Sequence, residues 1–190
     1  TFAKPERENC DGYAYDPENP SQHIIDMSEN EIEVPEDYTR EELRQDLLCY
    51  TSPVLKEDLV LTGDMTAELY ISSDAPDTDF VVRVTDVDEN GRSIKLADGL
   101  LSARYRNGFA RSEFLQEGEI VCLKIRTTKL SNCFRKGHCI RVTVTSSAKN
   151  FIFPNSNTRE GFASARTVVA HNRVYHGGLH ASRLTVRVEP

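Results

Sequence analysis

The sequence contains no tryptophan, and no apolar run approaches the ~20 residues that a membrane helix needs. The missing tryptophan weighs against a sugar-binding sandwich, because such sites usually stack their ligand on exposed aromatic rings, although seven tyrosines keep that class open. Positive charge is also scarce, since 23 lysines and arginines stand against 30 aspartates and glutamates, for a net charge of −7. We therefore expect no nucleic-acid partner and no membrane partner, both of which favour basic surfaces.

Motifs for catalysis are equally absent. A serine hydrolase of the α/β type holds its nucleophile in a strained Gly-x-Ser-x-Gly turn, and the sequence has none. Ser164 lies in the run Gly161-Phe-Ala-Ser-Ala, which lacks the second glycine and a preceding strand. A glycine-rich phosphate loop and a His-Glu-x-x-His motif are also missing. The sequence therefore predicts no catalytic residue and no cofactor.

The residues that could bind metal are not spaced for a metal site. Five cysteines without a Cys-x-x-Cys pair form neither a disulfide framework nor a zinc motif, so we predict a reducing, cytoplasmic location. Three histidines lie in a glycine-rich stretch without the helical placement that would converge them on zinc: His171, His176 and His180. Asp74, Asp77 and Asp79 are weak calcium candidates, but turn chemistry explains them better, and no bound metal is expected.

From residue 47 onward, apolar and polar residues alternate with a period of two. The alternating segments are 67–71, 80–84, 121–125, 140–144 and 184–188. This pattern predicts strands with one buried face and one face in water, the latter including Arg83 and Thr85. Glu89-Asn90-Gly91 predicts a hairpin turn, because Asn-Gly tolerates positive φ. The segment 147–180 lacks the alternation and is interpreted as a long excursion between strands. The sequence predicts an all-β sandwich or barrel.

The first 46 residues have a different character. They are rich in proline, acidic residues and asparagine, and Tyr15-Asp-Pro-Glu-Asn-Pro20 contains two prolines that favour extended or turn geometry. We interpret residues 1–46 as an extended arm with a connecting segment, followed by a sandwich domain over 47–190. Thr39-Arg-Glu-Glu42 resembles a capping box and predicts a short helical turn near 39–46. The missing initiator methionine favours a chain cut from something longer.

Several stretches together resemble one known family. The most specific is Leu69-Tyr-Ile-Ser-Ser-Asp-Ala-Pro-Asp-Thr-Asp-Phe80, and further matches are 15–20, 46–51, 84–99, 104–106, 134–141, 155–158 and 171–176. Over residues 13–188, the sequence is similar to the C-terminal domain of the X-Pro dipeptidyl-peptidase, cocaine esterase and α-amino-acid ester hydrolase family. The resemblance implies a jelly-roll β-sandwich of the galactose-binding-like type.

The resemblance also implies a parent enzyme with an α/β-hydrolase core, which carries serine, aspartate and histidine, and a helical cap. In the family this triad lies upstream, so none of it falls on this chain. The implied role is a non-catalytic domain that packs on the core and cap of the same parent chain and forms one wall of the substrate cleft. The irregular stretch 21–27 is the expected contributor, with His23, Ile24 and Ile25 as candidate cleft residues.

Other interpretations stay open at this point. The stretch 21–27 could simply pack on its own sandwich. The chain could instead be a free-standing carbohydrate- or peptide-binding module, or a domain that drives association into homo-oligomers. Whether the parent enzyme cleaves peptides or esters depends on its core and cap.

Overall fold

The fold is built from antiparallel strands joined by turns and loops. The computed structural model of the chain describes residues 7–24 and 36–188. Within them lie eleven strands: β1 (Asn9–Tyr15), β2 (Leu47–Thr51), β3 (Leu59–Gly63), β4 (Thr66–Ser73), β5 (Asp79–Val87), β6 (Ser93–Ser102), β7 (Val121–Arg126), β8 (Leu130–Phe134), β9 (Cys139–Thr145), β10 (Ala170–His176) and β11 (Arg183–Thr185). Three short 3-10 turns are Glu41–Leu43, Ala103–Tyr105 and Gly161–Ala163. No helix of this described part is long and apolar enough to cross a membrane.

The strands form two large sheets and one small sheet. The first has the order β1-β10-β4-β11, with β7 also paired to β4, and the second has the order β2-β9-β5-β6. Strands β3 and β8 form a separate two-stranded sheet. Every strand pair in these sheets is antiparallel. The predicted all-β, jelly-roll sandwich is confirmed.

The main core lies between the two large sheets. From β4, Ala67, Leu69 and Ile71 are buried, and they belong to one cluster with Phe80 and Val82 of β5. All five are apolar positions of the period-two pattern. Because burying a large apolar side chain contributes about 1.5–3 kcal/mol, this alternation fixes which face of each strand turns inward.

The outer face of β5 is not in water. The prediction that Arg83 and Thr85 are solvated is wrong, because both side chains are fully buried. Segment 36–43 crosses this face, where the Tyr38 ring centroid lies 3.7 Å from the guanidinium carbon of Arg83. The Glu42 carboxylate accepts a hydrogen bond from Ser93 at 2.8 Å on the same face. A third layer, drawn from residues before 47, therefore covers the second sheet.

The two local turn predictions differ in outcome. The Asn90-Gly91 turn is confirmed: Gly91 has φ 82°, and the N–H of Asp88 donates to Arg92 O at 3.0 Å between β5 and β6. The short helical turn predicted near 39–46 is present as the 3-10 turn Glu41–Leu43, but the capping box is absent, because no side chain caps this turn. The Glu42 side chain is turned away into the buried layer over β5 instead.

Six of the eleven described strands lie outside the five alternating segments: β1, β2, β3, β6, β8 and β10. Two of them, β1 and β10, fall in stretches that were interpreted as irregular. Strand β1 falls within residues 1–46, yet it pairs with β10 over its full length, and the division at residue 46 stays a prediction. Strand β10 falls within the predicted excursion 147–180, of which the part before Ala170 is irregular apart from one 3-10 turn. The inward-facing positions of β10 include Asn172, which is buried and hydrogen-bonded to Ser146. In the sequence pattern, asparagine counts as a polar, outward-facing residue. The alternation therefore did not indicate that Asn172 belongs to a strand.

Candidate functional site

Arg104 brings together motifs that are distant in sequence at one end of the sandwich. It lies in the 3-10 turn that directly follows β6. Its Nε donates to Asp77 Oδ2 at 2.7 Å, and its backbone N–H donates to Asp77 Oδ1 at 2.9 Å. Its terminal nitrogens donate to the carbonyl oxygens of Thr158 and Arg159, both at 3.0 Å. Since a guanidinium offers five donors in a fixed fork, this one side chain holds the 155–161 loop against the start of β5.

Asn155 completes the network around Arg104. Its side-chain nitrogen donates to Asp77 at 2.8 Å and to Asp79 at 2.9 Å. Burial raises the pKa of the Asp79 carboxyl above its usual range, and the neighbouring Asp77 charge raises it further. The only salt bridge of Asp77 in the described residues is with Arg104, so Asp77 depends on this cation.

A cleft of about 480 Å³ opens beside this network. Its walls combine two cations and two carboxylates with small apolar residues: Arg159, Arg166, Asp74, Glu160, Val168 and Val169. The buried Asn157 shapes the loop, because it adopts a left-handed conformation with φ 63° and its amide donates to Val168 O at 2.6 Å. Ser164 also lines the cleft, where its hydroxyl donates to Arg166 O at 2.8 Å.

An exposed aromatic surface lies along the same loop. We define the aromatic face by four residues: Ile24, Phe151, Phe153 and Phe162. The rings of Phe153 and Phe162 are 80% and 74% exposed, and they stack with their centroids 6.0 Å apart. Phe151 is half-exposed and stacks on His23 at 4.9 Å between ring centroids. Exposed apolar side chains that lie together in this way are more typical of a surface that contacts another molecule or domain than of an ordinary free surface.

Of the predicted cleft residues, Ile24 belongs to the aromatic face and His23 stacks on Phe151 of that face. His23 is buried, whereas Ile24 is partly exposed, and Ile25 lies outside the described residues. The backbone of this stretch runs beside residue 149, since the N–H of His23 donates to Lys149 O at 2.8 Å. His23 therefore packs on the sandwich itself, and Ile24 is the member that faces outward.

A buried charged cluster lies beneath this stretch on the outer face of the second sheet. We define the outer-face cluster by His23, Glu36, Lys95 and Asp98. Lys95 Nζ lies 2.8 Å from His23 Nε2, 2.8 Å from Glu36 Oε1 and 3.1 Å from Asp98 Oδ2. Burial alone would raise the pKa of Asp98, but a hydrogen bond with His23 and the charge of Lys95 outweigh it and lower the pKa to about 2.

The lowered pKa of Asp98 predicts a pH-dependent contribution to stability. In the unfolded chain this carboxyl titrates near its ordinary value of about 3.9. Its stabilisation is therefore complete above that pH and is lost as the pH falls through about 2. We expect the difference in free energy of unfolding between the wild type and Asp98→Asn to shrink by about 2 kcal/mol between pH 6 and pH 2. Urea unfolding at a series of pH values measures this, and a constant difference would contradict it.

The weak metal candidates do not come together as a site. Asp74 binds His171, whose Nδ1 lies 2.6 Å from Asp74 Oδ2, while Asp77 and Asp79 belong to the Arg104 network. The three histidines are each paired with a different carboxylate: His171 with Asp74, His176 with Asp11 and His180 with Glu8. Among the residues that the structure describes, no group of three or more histidines, cysteines, aspartates or glutamates could hold a metal ion.

Two parts of the site were not identified from the sequence. The sequence contained an indication of the aromatic face, because four residues of the segment 147–180 are aromatic. The pattern did not indicate which of these side chains are exposed. Lys95 and Asp98 had no usable signal, because strict alternation places residues three apart on opposite faces of a strand. Only the strand pairing described below brings the two side chains together.

The fold and the family comparison agree on the class of domain. Two facing antiparallel sheets place the chain among jelly-roll domains. A family model described as the X-Pro dipeptidyl-peptidase C-terminal non-catalytic domain matches residues 4–185. The chain belongs to this family, and the predicted resemblance is confirmed.

Individual relatives match the chain over only part of their own length. The cocaine esterase of Rhodococcus sp. (strain MB1 Bresler) is 35% identical over 188 residues, which cover 95% of this chain and 32% of that protein. An aminopeptidase from a marine sediment archaeon (Thaumarchaeota) superposes with a TM-score of 0.91 at 24% identity, covering 100% of this chain and 35% of its own. An α-amino-acid ester hydrolase superposes with a TM-score of 0.88 at 22% identity, covering 95% and 32%. The two structures share the fold, and the chain spans about a third of the length of these relatives.

Proposed function

We propose that the chain is the non-catalytic domain of an X-Pro dipeptidyl-peptidase or acyl esterase of the serine hydrolase type. In this role it packs on the α/β-hydrolase core and cap of the same polypeptide. The family description and the 35% identity to a cocaine esterase support this assignment. The two thirds of each relative that this chain does not match provide the room for a core and cap.

The aromatic face is the observation that carries the proposal. Burying a phenylalanine side chain contributes about 1.5–3 kcal/mol. Because Phe153 and Phe162 are exposed on the isolated chain, a partner that covered them would gain about this free energy for each ring. Both rings project from the loop that Arg104 and Asn157 hold in place, and this rigid support lowers the entropic cost of binding a partner. The hydrolase core is the occupant that we assign to this face.

The predicted cleft wall follows from this placement. Ile24 and Phe151 are both partly exposed, and Phe151 precedes Phe153 by two residues. A core that covers Phe153 and Phe162 would meet Ile24 at the edge of the interface, where a substrate cleft could open between the two parts. We therefore retain His23, Ile24 and Ile25 as the proposed contribution to the cleft, with Ile24 as its contact residue. Such a wall would help to exclude water from the reacting groups.

A hybrid enzyme tests the proposal. The part of the Rhodococcus cocaine esterase that matches this chain is replaced by the chain itself, and hydrolysis of 4-nitrophenyl acetate is followed. We expect an active hybrid in which the double substitution Phe153→Ser with Phe162→Ser shortens the half-life of activity at elevated temperature at least about tenfold, as the loss of two buried rings requires. Substituting Leu179, which is 85% exposed and outside the aromatic face, by serine should change it less than about twofold.

The isolated chain provides the control for this experiment. Since both rings are already exposed, the double substitution should leave its urea unfolding midpoint unchanged, which separates an interface effect from a folding effect. An inactive, separately folded hybrid, or equal half-lives for the two substituted forms, would reject the proposal.

The alternative functions have distinct outcomes in the same preparations. A homo-oligomerisation domain would sediment as a dimer or larger species through the aromatic face, and the double substitution would dissociate it. A free-standing carbohydrate or peptide module would bind its ligand in the 480 Å³ cleft without any partner. The cytoplasmic location rests on the cysteine content alone and remains a prediction.

A further inference from the structure

A β-bulge places two opposite charges on the same face of β6. Along the β5–β6 ladder, Val84 pairs with Ala97, but Thr85 pairs with Lys95, so one residue of β6 is left without a partner. In a regular strand, Lys95 and Asp98 would point to opposite faces. The extra residue resets the alternation, and both side chains reach the outer face. Bulges often re-aim a side chain next to a functional site, which directs attention to what Lys95 holds.

Lys95 ties together two pieces of chain that are separated by residues 25–35. His23 precedes that stretch and Glu36 follows it, and Lys95 Nζ lies 2.8 Å from a side-chain atom of each. The backbone N–H of Lys95 also donates to Glu36 O at 2.9 Å. A single side chain on β6, the edge strand of the second sheet, therefore contacts both flanks of residues 25–35.

Tyr38 passes this fixation on to Ile24. The backbone N–H of Ile24 donates to the Tyr38 hydroxyl at 3.1 Å, and that hydroxyl donates to Glu36 Oε2 at 3.3 Å. The chain of contacts runs from Lys95 through Glu36 and Tyr38 to the backbone of Ile24. The backbone of Ile24, whose side chain is partly exposed, is therefore connected to the buried Lys95–Glu36 ion pair.

Among the described residues, the basic groups near Lys95 in this layer include His23, which already contacts both carboxylates, and Arg83. Arg83 is buried under the same layer, but its guanidinium nitrogens have no hydrogen-bond partner among the described residues and it is stacked on Tyr38. Removal of the Lys95 ammonium would leave the buried carboxylates of Glu36 and Asp98 facing only the His23 imidazole, whose Nε2 lies 3.6 Å and 3.5 Å from them, in place of the closer ammonium contacts at 2.8 Å and 3.1 Å. Loss of an ammonium from such a buried cluster is strongly unfavourable. The two flanks would then separate until water reached the carboxylates.

We propose that Lys95 is a positioning residue for the substrate cleft: it holds the backbone around Ile24 in the conformation that forms the cleft wall. The proposal rests on the function proposed above for residues 23–25. Lys95 contacts no substrate itself and acts through His23 and Glu36.

Amide hydrogen exchange on the isolated chain tests the structural half of the proposal. Lys95→Met keeps the length of the side chain and removes its charge and donors. We expect the Ile24 and Tyr38 amides to exchange at least about tenfold faster, while the amides of Val82 and Val84 in the core of β5 keep their rates, as in a local opening. Lys124→Met, which removes a 71% exposed lysine paired with Glu68, should leave all four rates within about twofold. Unchanged exchange at Ile24 in Lys95→Met would overturn the proposal.

The hybrid esterase tests the functional half. We expect Lys95→Met to change the ratio of kcat/KM between a benzoyl and an acetyl ester at least about fivefold, mainly through KM, because a displaced wall affects a bulky acyl group more than a small one. Lys95→Arg retains a cation with several donors and should restore the ratio to within about twofold. A general loss of stability would lower both kcat/KM values equally.

The two halves distinguish the possible failures. Faster exchange with an unchanged ratio overturns the role of Lys95 in the cleft while the local fixation stands. A hybrid in which the Phe153/Phe162 substitutions match Leu179→Ser refutes the proposed function, and the cleft role of Lys95 falls with it. Faster exchange together with a changed ratio that Lys95→Arg restores supports the proposal.

Discussion

Replacement of Arg104 by methionine should lower the free energy of unfolding of the chain by about 3–5 kcal/mol. Asp77 is fully buried, and Arg104 is its salt-bridge partner, so methionine leaves a carboxylate without its cation. The same substitution removes the donors to the carbonyl oxygens of Thr158 and Arg159. Urea unfolding of both proteins, followed by far-ultraviolet circular dichroism, gives the difference.

A double-mutant cycle identifies the cause of that loss. Asp77→Asn with Arg104→Met removes both charges, and we expect the double variant to lose less than the sum of the two single variants. Arg111→Met serves as the matched control, because Arg111 is 82% exposed and its one ion pair with a described residue is with Glu113. We expect this substitution to change stability by less than about 0.5 kcal/mol. Additive effects of Asp77→Asn and Arg104→Met would show that the ion pair does not carry the loss.

Loss of Arg104 also has a consequence at the aromatic face. The loop that it holds continues directly into the 3-10 turn that carries Phe162. Gly161 lies against the guanidinium itself, where an added Cβ would come within 3.2 Å of Nη2. The buried Asp77 pair therefore supports the loop next to the proposed docking surface, and we expect Arg104→Met to weaken both the stability of the chain and the proposed contact with the hydrolase core.

The alternation of apolar residues predicted five of the eleven described strands, namely β4, β5, β7, β9 and part of β11. Strands β4, β5, β7 and β9 follow it because one face of each packs into the common core, and burial of alternate side chains dominates their energetics. Strand β10 was missed because its inward position Asn172 is polar, and its side-chain nitrogen donates to the Ser146 hydroxyl instead of packing as an apolar group. The predicted strand at 184–188 is reduced to Arg183–Thr185, and Val188 instead forms an isolated bridge with Leu61 of β3.

The buried charges could not be predicted from the pattern. Arg83 and Thr85 occupy the polar phase of β5, and only the distant segment 36–43 that covers them makes this face a second interior. The bulge in β6 reverses the phase of Lys95 relative to Asp98. Both effects depend on long-range packing, which a period of two cannot encode.

The residues of the Arg104 network could be identified within the family motifs, but their contacts with one another could not be predicted from the sequence. Asp77, Arg104 and Asn155 all lie in runs that carried the family resemblance. Along the chain, however, Arg104 lies 27 positions and Asn155 lies 78 positions after Asp77. Their sequence context indicated turns. Their shared network depends on how the ends of β5 and β6 meet the loop after β9, which is a property of the sheet order.

Replacement of Gly99 by alanine should cost about 2–4 kcal/mol of unfolding free energy. Gly99 lies on β6 opposite Val82, at the side of the sandwich where the second sheet meets the end of β7. A Cβ at this position would overlap the carbonyl oxygen of Arg126 and lie 2.9 Å from its carbonyl carbon. The obstacle is backbone, so no rotamer change can relieve it.

The contact cannot be relieved by a small shift of β7 either. The N–H of Thr128 donates to Asp98 O at 2.7 Å, and the N–H of Thr127 donates to Met65 O at 3.0 Å, so the end of β7 is hydrogen-bonded to both large sheets. Moving it would weaken bonds on both sides of the sandwich at once. Gly12→Ala in β1 is the matched control, since its Cβ would lie 3.4 Å from Asn172 O at the nearest, and it should change stability by less than about 1 kcal/mol. Equal urea midpoints for the two variants would show that the sheets can separate at this edge without loss, and that Gly99 does not determine how closely they approach.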